Sequence, residues 1–215
     1  YLTGHTAIGE ENRFHSGCVI GDAPQDLKYG GEPTRLIIGE RNLFREHVTI
    51  HRSNTPSEDT RIGSENFFMA NSHVGHNSII GNKAILANGV LIAGHAMIGD
   101  GAFLAGNAVV HQFCRVGAMA MMQGCAGVSL DLPPFTIVRG INGMCGLNSI
   151  GLKRAGFSSE ERLQLKKAYH AIFLSDELLK DALEKARSEF TGVLAEQLID
   201  FVATSQRGTC SHTKR

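Results

Sequence analysis

From Ile62 to Val128 an aliphatic or aromatic residue returns at every sixth position without a miss. The series is Ile62, Phe68, Val74, Ile80, Leu86, Ile92, Ile98, Leu104, Val110, Val116, Met122 and Val128. Pieces of the same pattern precede it at Ile8-Gly9, Phe14, Ile20-Gly21, Ile38-Gly39, Phe44 and Ile50. The next position is often small (Gly63, Gly75, Gly81, Ala87, Ala93, Gly99), and the fifth is compact (Ser72, Ser78, Ala84, Ala96, Ala102, Ala108, Cys114, Ala120). A period of six fits neither an α-helix at about 3.6 nor a half-buried strand at 2. It fits a short strand and a turn, repeated. Three hexads then close a triangular coil of 18 residues, and coils stack at the inter-strand spacing of about 4.8 Å. The large aliphatic points inward. Glycine at the second position is expected to supply unusual backbone angles at the corner.

Two segments break the period, Asp22 to Arg35 and Ser53 to Arg61. Both are rich in Pro, Gly and charge and read as loops 22–35 and 53–61 pushed out of the coil. The hexads stop at Pro133-Pro134. Beyond them Ser158 and Glu161 form a capping box ahead of a helix whose apolar positions are Leu163, Leu165, Ala168 and Ile172. Ser175 is placed to cap a second helix with Leu178, Leu179, Ala182 and Ala186 on one face, and a third follows Gly192. The expected organisation is an all-β prism over 1–150, an α-helical appendage over 151–206, its helices from about 155, and a disordered tail over 207–215. The chain begins within the pattern, so earlier coils are expected to precede Tyr1.

Composition narrows the function. With 21 basic and 21 acidic residues the chain lacks an overall basic surface for nucleic acid. No apolar run reaches the roughly 18 residues of a membrane span. The five cysteines include no C-x-x-C pair, which points away from a zinc ribbon and towards a reducing compartment. No serine elbow, Walker loop or dinucleotide fingerprint occurs.

The histidines are more informative. His73 and His76 lie within one coil, and Gly94 falls 18 residues after His76, so it stacks directly beside it. His95 is next to Gly94, His111 and Gln112 lie about two coils from His76, and His51 precedes the second loop. Three chemistries compete for this cluster. One imidazole can act as a general base, with the Gly94 N–H as oxyanion donor. Three histidines can hold zinc, as in the trimeric β-helical carbonic anhydrases, but their H-x-x-x-x-H pattern is missing from the repeat. The histidines can also simply form a polar ladder.

Six segments carry a closer resemblance: IGDAPQDLKYGGEPTRLIIGERN (20–42), VTIHR (48–52), NSHVGHNSIIGNKAILANGVLIAGH (71–95), VVHQFCRVGA (109–118), GCAGVSLDLPPF (124–135) and GLNSIGLKRAGFS (146–158). In these the chain resembles the UDP-N-acetylglucosamine O-acyltransferases of lipid A biosynthesis. The resemblance implies a left-handed parallel β-helix, a homotrimer, a cytoplasmic location and no cofactor. The implied reaction moves a 3-hydroxyacyl group from acyl carrier protein to the 3-hydroxyl of the sugar nucleotide. It makes His76 the base and Gly94 the oxyanion donor. It assigns substrate contacts to Gln25, Asp26, Lys28, His51, His73, His95, His111, Gln112, Asn148 and Arg154, and the acyl-chain pocket to Gly124. Two positions depart from the family: Asn77 stands where Asp often follows the base, and Ile150 where an acidic residue is usual. An acidic carrier protein also implies a salt-sensitive basic patch, drawn from Arg115, Lys153, Arg154, Arg162, Lys166 and Lys167. The other classes weighed are the later N-acyltransferase of the same pathway, a relative acylating a 3-amino sugar, and a non-catalytic β-helical scaffold.

Overall fold

The computed structural model describes residues 1–213. Over most of the repeat the chain forms strands of only two residues, each pairing in parallel with the strand 18 residues on. Thus Ile79↔Met97, Ile85↔Phe103 and Leu91↔Val109 are partners on three successive faces. The faces are sheets of six, nine and six strands among the described residues. We call them the first face (containing Ile79–Ile80), the second (Ile85–Leu86) and the third (Leu91–Ile92).

Every hexad residue from Ile62 to Val128 is buried, and so are the compact fifth-position residues from Ser72 to Ala120. The inner column is a stack of identical contacts, which fixes the register because a slip of one residue turns the apolar set outward. Near the N-terminal end, Phe14, Phe44 and Phe68 stack with ring centroids 4.7 and 4.8 Å apart. Beside them Asn42 accepts from the Asn66 N–H, and Asn66 in turn from the Ala84 N–H. That ladder satisfies corner donors that the small residues elsewhere leave to the backbone.

The second-position glycines play a different part from the expected one. Gly63, Gly75, Gly81, Gly99 and Gly117 all keep negative φ. A Cβ on Gly75 would stand 2.7 Å from the Gly94 nitrogen, and one on Gly63 would stand 2.5 Å from the Gly81 oxygen. These residues are small because adjacent coils touch there. The left-handed turn sits two positions later, at Glu65, Asn71, Asn77, Lys83, His95 and their equivalents.

The first loop runs between the strands Val19–Asp22 and Arg35–Ile38, as expected. The second ends earlier than expected, because Asp59–Ile62 is already a strand. The buried Asp59 carboxylate pairs with Arg35 and Arg61, and buried Thr60 accepts from the Asn77 N–H. The two prolines do not end the sheet either. Thr136–Arg139 pairs in parallel with Met121–Met122, and Gly143–Leu147 then closes the prism as an antiparallel strand.

Four helices follow among the described residues: α1 (Ser149–Arg154), α2 (Ser159–Phe173), α3 (Leu179–Glu189) and α4 (Val193–Ala203). Helix α1 was not foreseen. The capping box of α2 is formed at both ends, Glu161 N–H to Ser158 Oγ and Ser158 N–H to Glu161 Oε2. Ser175 caps nothing; its hydroxyl donates back to the Ala171 carbonyl. Leu165, Ala168, Ile172, Ala182 and Ala186 are buried as expected, whereas Leu163, Leu178 and Leu179 are exposed. The described part of the expected disordered tail carries regular structure instead. Cys210 is buried, and Ser211–His212 adds a parallel strand to Gly143–Met144. Residues 214–215 of that expectation lie outside the described residues. No helix is long and apolar enough to cross a membrane among the described residues.

Candidate active site

The third face carries a cleft of about 780 Å³. Its walls hold Gln25, His51, His73, His76, Gly94, His111 and Gln112, with Leu91, Val109 and Ile141 as apolar floor. Coil arithmetic accounts for the grouping. His73 is in strand His73–Val74, paired to Leu91–Ile92, which is paired to Val109–Val110. The corner that follows each strand presents His76, then Gly94, then Gln112, one coil apart.

The His76 ring lies against Gly94. A Cβ added to Gly94 would stand 2.8 Å from both Cε1 and Nε2 of His76. His76 Nδ1 is 2.8 Å from Asn77 Oδ1. The Gly94 N–H makes no hydrogen bond to any described residue, so a donor lies beside the imidazole edge. Deeper in the cleft His73 Nδ1 is 2.7 Å from Thr49 Oγ1, and His51 meets His73 edge-on at 5.1 Å. His51 is buried and its Nδ1 has no partner among the described residues.

Burial holds the His73 imidazole down to about 4, with His51 and His76 adding to the shift. Burial also lowers His51 and His95. These imidazoles are therefore neutral at pH 7. The unfolded chain binds a proton on His73 near 6.5, before the folded chain does. The stability from keeping it neutral is complete above about 6.5 and lost as pH falls towards 4, up to about 3 kcal/mol. An imidazole NMR titration is expected to give His73 a midpoint near 4, with falling urea resistance over that window. A midpoint near 6.5 would contradict the burial argument.

Asp26 accepts from the Lys28 N–H and from Asn54 Nδ2, and these bonds, in that order, hold its carboxyl below the usual range. Lys28 is exposed in the same loop. His95 does not face the cleft. It stacks on Phe113 at 4.6 Å behind His76, edge-on to it at 5.2 Å, and lines a neighbouring cavity. His111 and Gln112 are exposed at the mouth. Among the described residues no three His, Cys, Asp or Glu side chains converge on a point that would hold a metal ion.

Asn148, Arg154 and Ile150 are elsewhere. They line a cavity of about 860 Å³ on the second face, with Phe103, Met119 and Met121. Asn148 caps α1 through Gly151 N–H and donates to the Met119 carbonyl. Gly124 lines neither cavity; its nearest neighbour across the coil is the Gly106 carbonyl. Arg115 is unavailable to a docking patch, because it pairs with buried Asp131 at 2.8 Å and lies over the Phe201 ring.

Two residues the sequence left unread join the site. Asn54 N–H donates to Asn77 Oδ1 at 2.9 Å, and Asn77 Nδ2 donates to Glu58 Oε2 at 2.7 Å. The signal was present: counting 18 residues back from His76 lands on Glu58.

Residues 131–210 match the family described as UDP N-acetylglucosamine O-acyltransferase, domain 2, and residues 59–94 match the bacterial transferase hexapeptide family, six repeats. The acyl-(acyl-carrier-protein)–UDP-N-acetylglucosamine O-acyltransferase of an Anaeromyxobacter species is 44% identical over 211 residues, 96% of this chain and 82% of that protein. The enzyme of the same name from Herminiimonas arsenicoxydans is 45% identical over 207 residues, 93% of this chain and 79% of that protein. The crystal structure of a UDP-N-acetylglucosamine acyltransferase from Bacteroides fragilis superposes with a TM-score of 0.92 at 39% identity, covering 97% of this chain and 82% of that one. The expected left-handed winding goes with that superposition, since a coil of opposite hand would not overlay.

Proposed function

The chain belongs to the UDP-N-acetylglucosamine O-acyltransferase family, and from that membership we propose how its cleft performs the reaction. The protein is an acyltransferase. It moves a 3-hydroxyacyl group from acyl carrier protein to the 3-hydroxyl of UDP-N-acetylglucosamine, the first step of lipid A biosynthesis. His76 Nε2 takes the proton of the sugar 3-hydroxyl as that oxygen attacks the thioester carbonyl. The Gly94 N–H receives the developing oxyanion. Collapse of the tetrahedral intermediate breaks the C–S bond, and the imidazolium returns its proton to the leaving thiolate. No covalent enzyme intermediate is needed, and no cofactor, since the thioester is already activated. The observation that carries this reading is the His76 ring packed against Gly94, with Nδ1 tied to Asn77.

Gln25, Asp26, Lys28, His51 and His73 border the acceptor, with His111 and Gln112 at the donor mouth and His95 behind the base. Asn148 and Arg154 contact the nucleotide from a neighbouring copy. Within one chain they occupy a different face from His76, and a three-fold ring brings a second face against a third. The guanidinium of Arg154 suits a diphosphate. Gly124 leaves room for the acyl chain in the groove between copies. Lys153, Arg154, Arg162, Lys166 and Lys167 form the carrier-protein patch. A cytoplasmic reaction fits these substrates.

The test is product mass after mixing the protein with UDP-N-acetylglucosamine and a series of 3-hydroxyacyl carrier proteins. A gain of one hydroxyacyl group on the sugar nucleotide is expected. Product only with a 3-amino acceptor would replace the ester reading with an amide one, and a folded protein giving no product with either would overturn it.

A further inference from the structure

Family enzymes often follow the base with Asp; this chain has Asn77, which offers His76 no charge of its own. We propose that Glu58, at the end of the second loop, is a positioning residue for the base. It acts through the Asn77 amide, and the two residues together replace the adjacent carboxylate. The inference rests on His76 being the base.

The orientation of the Asn77 amide is fixed from both ends. Its Oδ1 accepts from the Asn54 backbone N–H at 2.9 Å, which no nitrogen could do. Its Nδ2 stands 2.7 Å from the Glu58 carboxylate, which accepts only. The atom 2.8 Å from His76 Nδ1 is therefore an acceptor, so Nδ1 carries the hydrogen and neutral His76 presents a bare Nε2 to Gly94. That is the tautomer a general base requires. Without Glu58 the amide loses one of its two anchors. With it, the carboxylate polarises the amide and favours the imidazolium formed during proton transfer.

The same bonds explain why both interrupting loops converge here. Asn54 joins Asp26 of the first loop to Asn77, while Glu58 joins Asn77 to the second. Asn77 is buried and sits at φ +59, a left-handed turn that Asn tolerates better than most side chains. Glu58 is exposed, so its effect is moderated by water.

Besides Glu58, the charged and titratable groups around His76 are Asp26 and the imidazoles of His51, His73 and His95. The substitution Glu58→Gln leaves these side chains in place and also removes the 3.7 Å contact of the Glu58 carboxylate with His95 Nδ1. It removes the charge and lets the residue at 58 turn an amide N–H towards Asn77. The expected result is a kcat lower by about three- to tenfold, the scale of one moderated charge-assisted bond, with KM for the sugar nucleotide little changed. The acid limb of the kcat/KM profile moves to lower pH. The decisive comparison is sign reversal. Asn77→Asp sets a carboxylate against that of Glu58, so Glu58→Gln lowers activity in the natural chain but raises it in the Asn77→Asp chain, where an amide then faces a carboxylate.

If Glu58→Gln has the same sign in both backgrounds, or leaves kcat and the acid limb unmoved, the relay is wrong. A second readout needs no substrate. In 15N-histidine spectra His76 is expected to show a protonated Nδ1 and an unprotonated Nε2, with the two tautomers mixing in Glu58→Gln. An Nε2–H tautomer in the natural chain would overturn the inference. Absence of acyl transfer by the natural chain would instead overturn the reading of His76 as base.

Discussion

His76→Ala is expected to lower kcat by roughly 10³-fold, within the 10²–10⁴ that general-base catalysis commonly supplies, while leaving the melting temperature and KM for UDP-N-acetylglucosamine nearly unchanged. The sugar 3-hydroxyl is a poor nucleophile until its proton has somewhere to go. Neither His73 nor His95 is a good substitute. His73 is held down to about 4 by burial and tied to Thr49, and His95 lies behind His76, stacked on Phe113. The side chain is only half-buried at the cleft wall, so its removal opens no cavity in the core column. The Gly94 N–H and the substrate contacts remain, which is why residual transfer above the uncatalysed rate is expected. Steady-state kinetics with mass detection of the acylated sugar nucleotide gives the number. A variant within tenfold of the natural chain would move the base elsewhere and take the mechanism with it.

The fold was legible because the hexad period is a global constraint written locally. Each aliphatic from Ile62 to Val128 has the same inner environment, so one rule placed them all. The same periodicity located Gly94 against His76 and Gln112 beyond it. It failed where contacts leave the coil. Glycine at the second position was assigned to backbone freedom, whereas the requirement is close contact between coils, and a single strand's sequence carries no record of its neighbour's distance. Leu163, Leu178 and Leu179 were assigned to the helical core because spacing alone does not say which stripe faces inward. The prolines and the polar tail were read as endings, yet Thr136–Arg139 and Ser211–His212 extend the sheet by long-range pairing. Arg115 shows the same limit. As a sequence symbol it is a basic surface residue; in the structure its charge is spent on buried Asp131. Glu58 was missed for a different reason. The composition of the loop that ends there hides that its last residue is one coil from His76.

Gly94→Ala separates the two halves of the proposed catalytic pair. Gly94 does not have positive φ, so alanine is compatible with its backbone. What the methyl meets is the His76 ring, 2.8 Å from Cε1 and from Nε2, a spacing at which the ring must shift. The Gly94 N–H, the proposed oxyanion donor, is untouched by the substitution. The imidazole is a side chain held by the Asn77 bond on its far edge, so it tilts about Nδ1 and carries Nε2 away from the sugar hydroxyl. A displacement of this order at a reacting atom costs about 10²-fold in rate, and that loss is expected in kcat with the melting temperature close to that of the natural chain. Gly75→Ala, one coil below, supplies the contrast. Its Cβ would meet the Gly94 nitrogen at 2.7 Å and the Ala93 carbonyl carbon at 2.9 Å, and backbone cannot swing aside as a ring can. That substitution is expected to cost at least the 1–3 kcal/mol usual for overpacking and to lower the melting temperature. If Gly94→Ala instead melts early and keeps its kcat at temperatures where it is folded, the ring is not held against Gly94 during catalysis. The proton acceptor would then have to be sought among the other nitrogens of the cleft.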